Sequence, residues 1–349
     1  MIKWSEKLAS NTSKPTELTE ALIKYSKKLE KQGFPVIFDL AHLALILGIE
    51  KLTLASIVNS SSKFYRSFKI PKRRHNTFRE INSPYPVLKK IQDWIKVEIL
   101  EKIEMSHHCY SYRKNVSIID NASVHLGNEV LYKLDLVDFF DNIKEDRILS
   151  IFLNCGYSYK VSYFLTSLCL LTTKLPQGAS TSPIISNIIA KRLDKRLSAL
   201  CSKYKINYSR YSDDITISGK FVPPFLRLII KNIIADEDFI VNQNKEILIN
   251  GLNKKKIVTG ISITNNVLKI PRESKRIIKQ EVFKFLKYDF MINPNEQEFD
   301  PYFTERLIGK LNYWINVEKG NENPIFLLRS VIEKNKLFMS RIIQEDFNS

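Results

Sequence analysis

Three aspartates carry the chemistry this sequence can support. Two stand together in Tyr211-Ser212-Asp213-Asp214, between Ile206-Asn207-Tyr208-Ser209-Arg210 and Ile215-Thr216-Ile217-Ser218. Both flanking runs alternate with a period of two and predict strands, with the acids at the tip of a β-hairpin. Acids in such a turn are ordinarily solvated turn residues, and the tetrapeptide alone leaves that reading open. The third, Asp135, lies at the end of a strand predicted over Val130–Val137, just before Asp138-Phe139-Phe140. Three bare carboxylates brought together would raise one another's pKa. A pair of divalent cations removes that penalty, and Mg2+ suits it, taking few carboxylates and completing its shell with water and phosphate. Two such ions, about 3.5–4 Å apart, activate a hydroxyl and stabilise leaving pyrophosphate in an in-line displacement at phosphorus.

The surrounding elements must bring these acids together. Residues 1–60 read as helices, with Leu18, Leu22 and Ile23 at helical spacing in Thr16–Glu30 and a more apolar helix over Phe34–Leu47. A basic stretch with interleaved aromatics follows over residues 61–82. A helix is predicted from Pro86 to Met105, with Leu88, Ile91, Ile95, Ile99 and Leu100 on one face. Further helices are expected over Asp146–Thr173, Ser182–Lys203 and Pro224–Ala235, a strand over Lys256–Ile263, and helix from Pro271 onward. Strands that carry acids among long helices predict an α+β fold with helical additions at both ends.

Composition narrows the function classes. The 349 residues are 44% hydrophobic, enough for a sizeable core. Fifty-four Lys plus Arg against 37 Asp plus Glu give a net charge of +17, spread along the chain, which points to a polyanionic partner and a long basic channel. Cys109, Cys155, Cys169 and Cys201 show no paired spacing and read as reduced thiols. Phe34–Ile49 is too short to span a bilayer and contains Asp39 and His42. No signal-peptide apolar region follows Met1, so the cytoplasm is the expected location, with no membrane partner.

Asp135-x-x-x-Phe139-Phe140, Leu175-Pro176-Gln177-Gly178-Ala179-Ser180-Thr181-Ser182-Pro183 and Tyr211-Ser212-Asp213-Asp214, in that order, resemble the palm motifs of reverse transcriptases. The resemblance covers residues 61–263. It implies a right-hand polymerase: a helical extension over 1–60, fingers with palm segments over 61–130, palm over 131–263 and thumb over 264–349. Asp135, Asp213 and Asp214 would then be catalytic and hold two Mg2+ ions. Phe140, with Asp138 and Phe139, falls where the family meets the incoming nucleotide; a ring there would collide with a ribose 2′-hydroxyl, and it reads equally as core. Gln177 can hydrogen-bond near the sugar, and Gly178 lets backbone approach the nucleotide. Phe68–Arg79 resembles the fingers hairpin, with Lys72 and Arg79 on the triphosphate; a generic basic loop remains the alternative. Val241-Asn242-Gln243-Asn244-Lys245 resembles a later Asn-x-x-Lys element, with Lys245 either an acid for pyrophosphate or a solvated lysine.

Two further elements resemble bacterial retron reverse transcriptases: Asn121-Ala122-Ser123-Val124-His125 and Val258-Thr259-Gly260. That branch implies contacts to RNA or DNA near Asn121, His125, Tyr211, Val258, Thr259 and Gly260. It implies a cognate structured noncoding RNA, copied in part into single-stranded DNA from deoxynucleoside triphosphates and primed by a 2′-hydroxyl. It also implies a separately encoded effector in anti-phage defence and a host ribonuclease H to remove the template. Another bacterial lineage, related to intron or abortive-infection enzymes, and a non-catalytic RNA-binding scaffold are the alternatives. His107-His108-Cys109-Tyr110-Ser111-Tyr112 departs from the branch pattern and leaves the local conformation open. It is not read as a zinc site, because no second Cys/His pair accompanies it. In the expected thumb, Lys275, Arg276, Lys279, Lys284 and Lys287 give an amphipathic helix a basic face suited to an A-form-like hybrid. Tyr313 and Trp314 read as core packing or as stacking on RNA.

Overall fold

The computed structural model describes residues 3–10, 16–71, 78–264, 266–287, 300 and 302–348. The N-terminal helices are α1 (Trp4–Ser10), α2 (Glu17–Lys31), α3 (Leu40–Leu47) and α4 (Lys51–Asn59), followed by strands β1 (Tyr65–Pro71) and β2 (Phe78–Pro84). Next come α5 (Pro86–Glu98), α6 (Ile118–Ser123), β3 (Val130–Asp135), α7 (Glu145–Cys155), α8 (Tyr159–Cys169), α9 (Ser182–Ile189) and α10 (Lys191–Lys203). The chain continues through β4 (Asn207–Tyr211), β5 (Asp214–Gly219), α11 (Pro224–Asp236), β6 (Ile247–Asn250), β7 (Lys256–Val258), β8 (Ile261–Thr264) and β9 (Val267–Lys269). Helices α12 (Arg272–Lys287), α13 (Phe303–Val317) and α14 (Glu322–Asn348) close it.

The element ends follow local chemistry. Thr16 and Asp39 cap α2 and α3 by accepting hydrogen bonds from the Thr19 and His42 amides, and α3 stops at Gly48 in the left-handed region. Ser117 and Asp120 form a capping box at α6. Several expected elements are shorter in the structure. Residues 34–39 lie outside any helix, with Asp39 in an extended conformation as the α3 cap. The helix from Pro86 ends at Glu98 and passes into a 3-10 turn over Leu100–Lys102. The expected Ser182–Lys203 helix breaks at Ala190, whose ψ of −1° divides α9 from α10. The expected Lys256–Ile263 strand is a hairpin, because Thr259 (φ 45°) and Gly260 (φ 84°) turn the chain between β7 and β8.

Three sheets form: the β1-β2 ribbon, a four-stranded sheet in the order β4-β5-β3-β6, and β7-β8-β9. The chain divides into two compact units, neither of them one continuous stretch. The first comprises residues 1–115, 133–215 and 223–246. Its core joins Leu88, Ile91 and Ile95 of α5, Leu165 and Leu168 of α8, Ile184 and Ile185 of α9, and Leu193 and Leu197 of α10, all buried. Each such side chain contributes about 1.5–3 kcal/mol on burial. The second unit comprises residues 116–132, 216–222 and 247–349. Leu131, Ile261, Val282, Leu307, Leu311, Trp314 and Val331 pack together within it.

Candidate active site

Asp135 is the last residue of β3, and Asp214 the first of β5. Asp213 sits in the two-residue link from β4, where Ser212 adopts a left-handed φ of 58°. The Leu136 amide donates to the Asp213 carbonyl at 3.1 Å, which ties the end of β3 to the hairpin tip. On the other side the Asn242 amide donates to the Asp135 carbonyl at 2.8 Å and the Val137 amide to the Ile240 carbonyl at 2.8 Å. This pairing brings the Asn-x-x-Lys segment to the first aspartate, and the Lys245 Nζ donates to Asp135 Oδ1 at 2.8 Å. All three carboxylates, with Arg79, Phe140, Gln177, Tyr211 and Lys245, line one cavity of about 1020 Å³.

The electrostatics of this cavity are strained in one direction. Burial, and then the Asp214 charge, push the Asp213 carboxyl above its ordinary range. Burial likewise raises Asp214, with Asp135 adding to the shift and Lys133 and Lys245 opposing it. The Asp135 hydrogen bond holds the Lys245 ammonium more firmly protonated.

The nucleotide-side residues take up distinct positions. Arg79 is exposed on β2, opposite Ile70 on β1; Lys72 lies outside the described residues. Asp138 is exposed at a φ of 42°, a turn position. Phe139 is core, packed edge-on to Phe140 and against Phe239, while Phe140 is half-buried on the cavity wall. The Gln177 carbonyl accepts from the Asn82 amide at 2.7 Å. Gly178 follows at a φ of 129°, and a β-carbon there would stand 2.7 Å from the Asn82 carbonyl oxygen. The glycine therefore lets the loop dock against β2, a close approach the sequence reading assigned to the nucleotide alone.

The residues expected at nucleic acid divide. In the second unit the Asn-Ala-x-x-His and Val-Thr-Gly elements meet: Asn121 Nδ2 donates to Thr259 Oγ1 at 3.4 Å, and Thr259 Oγ1 donates to the Ile118 carbonyl at 3.3 Å. Asn121, His125 and Val258 are buried, not at the surface where contacts to RNA or DNA were expected. His125 Nδ1 lies 2.7 Å from Ser218 Oγ, a bond that fixes the ring inside. Thr259 is half-buried and Gly260 exposed. Lys275 is committed to Glu318 at 2.6 Å, whereas Lys279 is exposed beside the ring of the buried Trp314. Trp314 thus resolves to packing. In the first unit Tyr211 is half-buried beside Tyr112.

Sequence reasoning missed the polar layer behind the hairpin tip. Arg210, Asp194, Tyr208, Asn187 and Ser111 are fully or nearly fully buried there. A signal existed: Arg210 falls on the same strand face as Tyr208, and Asp194 stands at helical spacing from Ala190, Leu197 and Cys201, on the face that α10 buries.

The model for reverse transcriptase (RNA-dependent DNA polymerase) matches residues 70–288. The retron Ec86 reverse transcriptase of Escherichia coli is 29% identical over 310 residues, covering 88% of this chain and 93% of that one. The retron Ec83 reverse transcriptase of Escherichia coli is 35% identical over 63% of this chain and 75% of its own. The chain belongs to the retron reverse transcriptases. As a member of that family it is an RNA-directed DNA polymerase with an α+β polymerase fold, and its template partner is RNA. Among solved structures it is similar to telomerase from Candida albicans in complex with a telomeric RNA fragment, with a TM-score of 0.44, 11% identity and coverage of 79% of this chain and 64% of that one.

Reverse transcriptases depend on divalent metal, and the retron enzyme's carboxylates fit that need. Among the described residues no group of three or more His, Cys, Asp or Glu side chains is gathered closely enough to hold an ion. The donors nevertheless suit a hard cation: three carboxylates face one cavity, and Asp213 and Asp214 are held above their ordinary range by burial first and then by a neighbouring carboxylate. A divalent cation relieves that repulsion.

Proposed function

We propose that the protein binds a cognate structured noncoding RNA and copies part of it into single-stranded DNA. Synthesis starts from the 2′-hydroxyl of an internal guanosine. The observation that carries this reading is the single cavity that collects Asp135, Asp213, Asp214, Arg79, Phe140 and Gln177, in a chain that also carries both retron elements. Asp135, Asp213 and Asp214 would hold two Mg2+ ions, which when bound activate the priming hydroxyl and stabilise the leaving pyrophosphate. Arg79, on the exposed arm of the ribbon, grips the triphosphate with two hydrogen bonds. Gln177 hydrogen-bonds at the sugar, and the Phe140 ring excludes a 2′-hydroxyl there. Lys245 stays protonated beside Asp135, placed to neutralise pyrophosphate and to give it a proton. The exposed lysines and arginines of α12 offer phosphate contacts to the RNA–DNA product. In the cell the RNA–DNA product and a separately encoded effector would form an anti-phage system in the cytoplasm, with a host ribonuclease H that removes the copied template.

The test is the nucleic acid that co-purifies when the protein is expressed with its native flanking DNA. A discrete single-stranded DNA, left after ribonuclease treatment and shifted in mobility by a debranching enzyme, is the expected result. RNA alone would favour a scaffold role, and unbranched heterogeneous DNA would remove the 2′-primed reaction.

A further inference from the structure

Behind the Ser212–Asp213 turn lies a charged cluster that the mechanism above does not use. Arg210 is completely buried, and its guanidinium is divided between two tasks. Nε and Nη2 donate to the two carboxylate oxygens of Asp194 at 2.7 and 2.8 Å, a bidentate pair. Nη1 reaches in the other direction, to the Ser212 carbonyl at 3.1 Å and Asn187 Oδ1 at 3.3 Å. Tyr208 donates its hydroxyl to Asp194 at 2.7 Å, completing the counterion's shell. The Ser212 amide is pinned as well, donating to Ser111 Oγ at 2.8 Å.

Both polar groups of the Ser212 peptide backbone are therefore held by buried partners, at a residue whose left-handed φ is disfavoured for any side chain with a β-carbon. Ser111 is delivered by a strap that runs beside β4: Tyr110 donates its amide to the Arg210 carbonyl, and Arg210 donates its own to the His108 carbonyl. The departure at His107–Tyr112 is thus a one-residue parallel bridge that supplies the second clamp. A buried ion pair is a poor source of stability, because removing two charges from water offsets most of their attraction. Its value here lies in geometry.

We propose that Arg210, braced by Asp194, is a positioning residue for catalysis: it clamps the Ser212 carbonyl and fixes the turn that presents Asp213 and Asp214 to the cavity. The proposal rests on the reading of Asp213 and Asp214 as metal-holding groups. It predicts that the cluster can be replaced without loss of fold but not without loss of chemistry.

The deciding variant combines Arg210→Met, Asp194→Leu and Tyr208→Phe, which removes both charges and the hydroxyl that depends on them. It is purified with co-expressed RNA. Its melting temperature and RNA affinity should match the wild type, and its KM for deoxynucleotide should stay within about twofold. Its kcat should fall on the order of 10–100-fold, as expected for misplaced reacting groups. Mn2+ affinity of the RNA-bound protein without nucleotide, read by electron paramagnetic resonance, should weaken alongside kcat. A folded triple variant with wild-type kcat and Mn2+ affinity overturns the proposal. Should the triple variant not fold, Arg210→Lys decides: lysine keeps the charge opposite Asp194 but lacks the second arm that reaches Ser212. Unchanged kcat in that variant is equally fatal, and a matching fall supports the clamp. Asp213→Asn is assayed in parallel. If it keeps synthesis and Mn2+ affinity, the metal-holding assignment itself is wrong. If it loses both while the Arg210 variants are intact, only the clamp is wrong.

Discussion

At the scale of single residues, the carboxylates trade stability for chemistry. Asp213 and Asp214 are raised above their unfolded values, chiefly by burial. The folded state therefore binds protons more tightly than the unfolded one. Their contribution to stability is complete below the ordinary carboxylate range and is lost as pH rises through the raised folded values. Asp213→Asn should consequently melt higher than wild type at neutral pH in metal-free buffer, and the gap should close as the solution is made acidic. Thermal melts across pH check this; an equal melting temperature at neutral pH would contradict it. Phe140, half-buried on the cavity wall, gives a second prediction. Phe140→Ala should raise ribonucleotide incorporation relative to deoxynucleotide by about tenfold or more, the scale of one steric contact in a specificity pocket. Unchanged discrimination in single-nucleotide assays would return that ring to packing against Phe139.

At the scale of elements, the ribbon β1–β2 is held where the Gln177–Gly178 loop touches it. Gly178→Ala would place a β-carbon 2.7 Å from the Asn82 carbonyl oxygen in a backbone conformation that side chains rarely adopt. The variant should fold but raise KM for deoxynucleotide about tenfold, as the arm bearing Arg79 shifts; steady-state kinetics with an unchanged KM would refute the docking role. The hairpin at Tyr211–Asp214 was legible because alternation and turn chemistry agree there. The α5 face was legible for the same reason, with Leu88, Ile91 and Ile95 all buried as the helical period requires. What stayed illegible depends on long-range contact. Nothing local shows that Asn121 reaches Thr259, 138 residues away, or that Ser111 holds a turn 101 residues downstream. The break at Ala190 and the reversal at Thr259-Gly260 were missed because apolar periodicity runs through both. His125 looked like a contact residue and is a core hydrogen-bonding group instead, since a side chain's type does not say which face its element buries.

At the scale of the whole molecule, the charge of +17 suits a polyanionic partner, and the proposed RNA complex would be held largely through phosphates. RNA affinity should fall by roughly 10³-fold or more between 50 and 200 mM salt, the behaviour of a surface making several phosphate contacts. A flat salt response in filter binding would place the excess charge elsewhere than the binding surface. The most direct test of the central claim, that the three aspartates form the one polymerase centre of an RNA-binding enzyme, is DNA synthesis by the purified RNA complex carrying Asp213→Ala with Asp214→Ala. The account predicts that synthesis falls by about 10²–10³-fold or more, the scale of losing a main electrostatic group, while the co-purified RNA is retained at wild-type levels. Synthesis at the wild-type rate in that variant would contradict it.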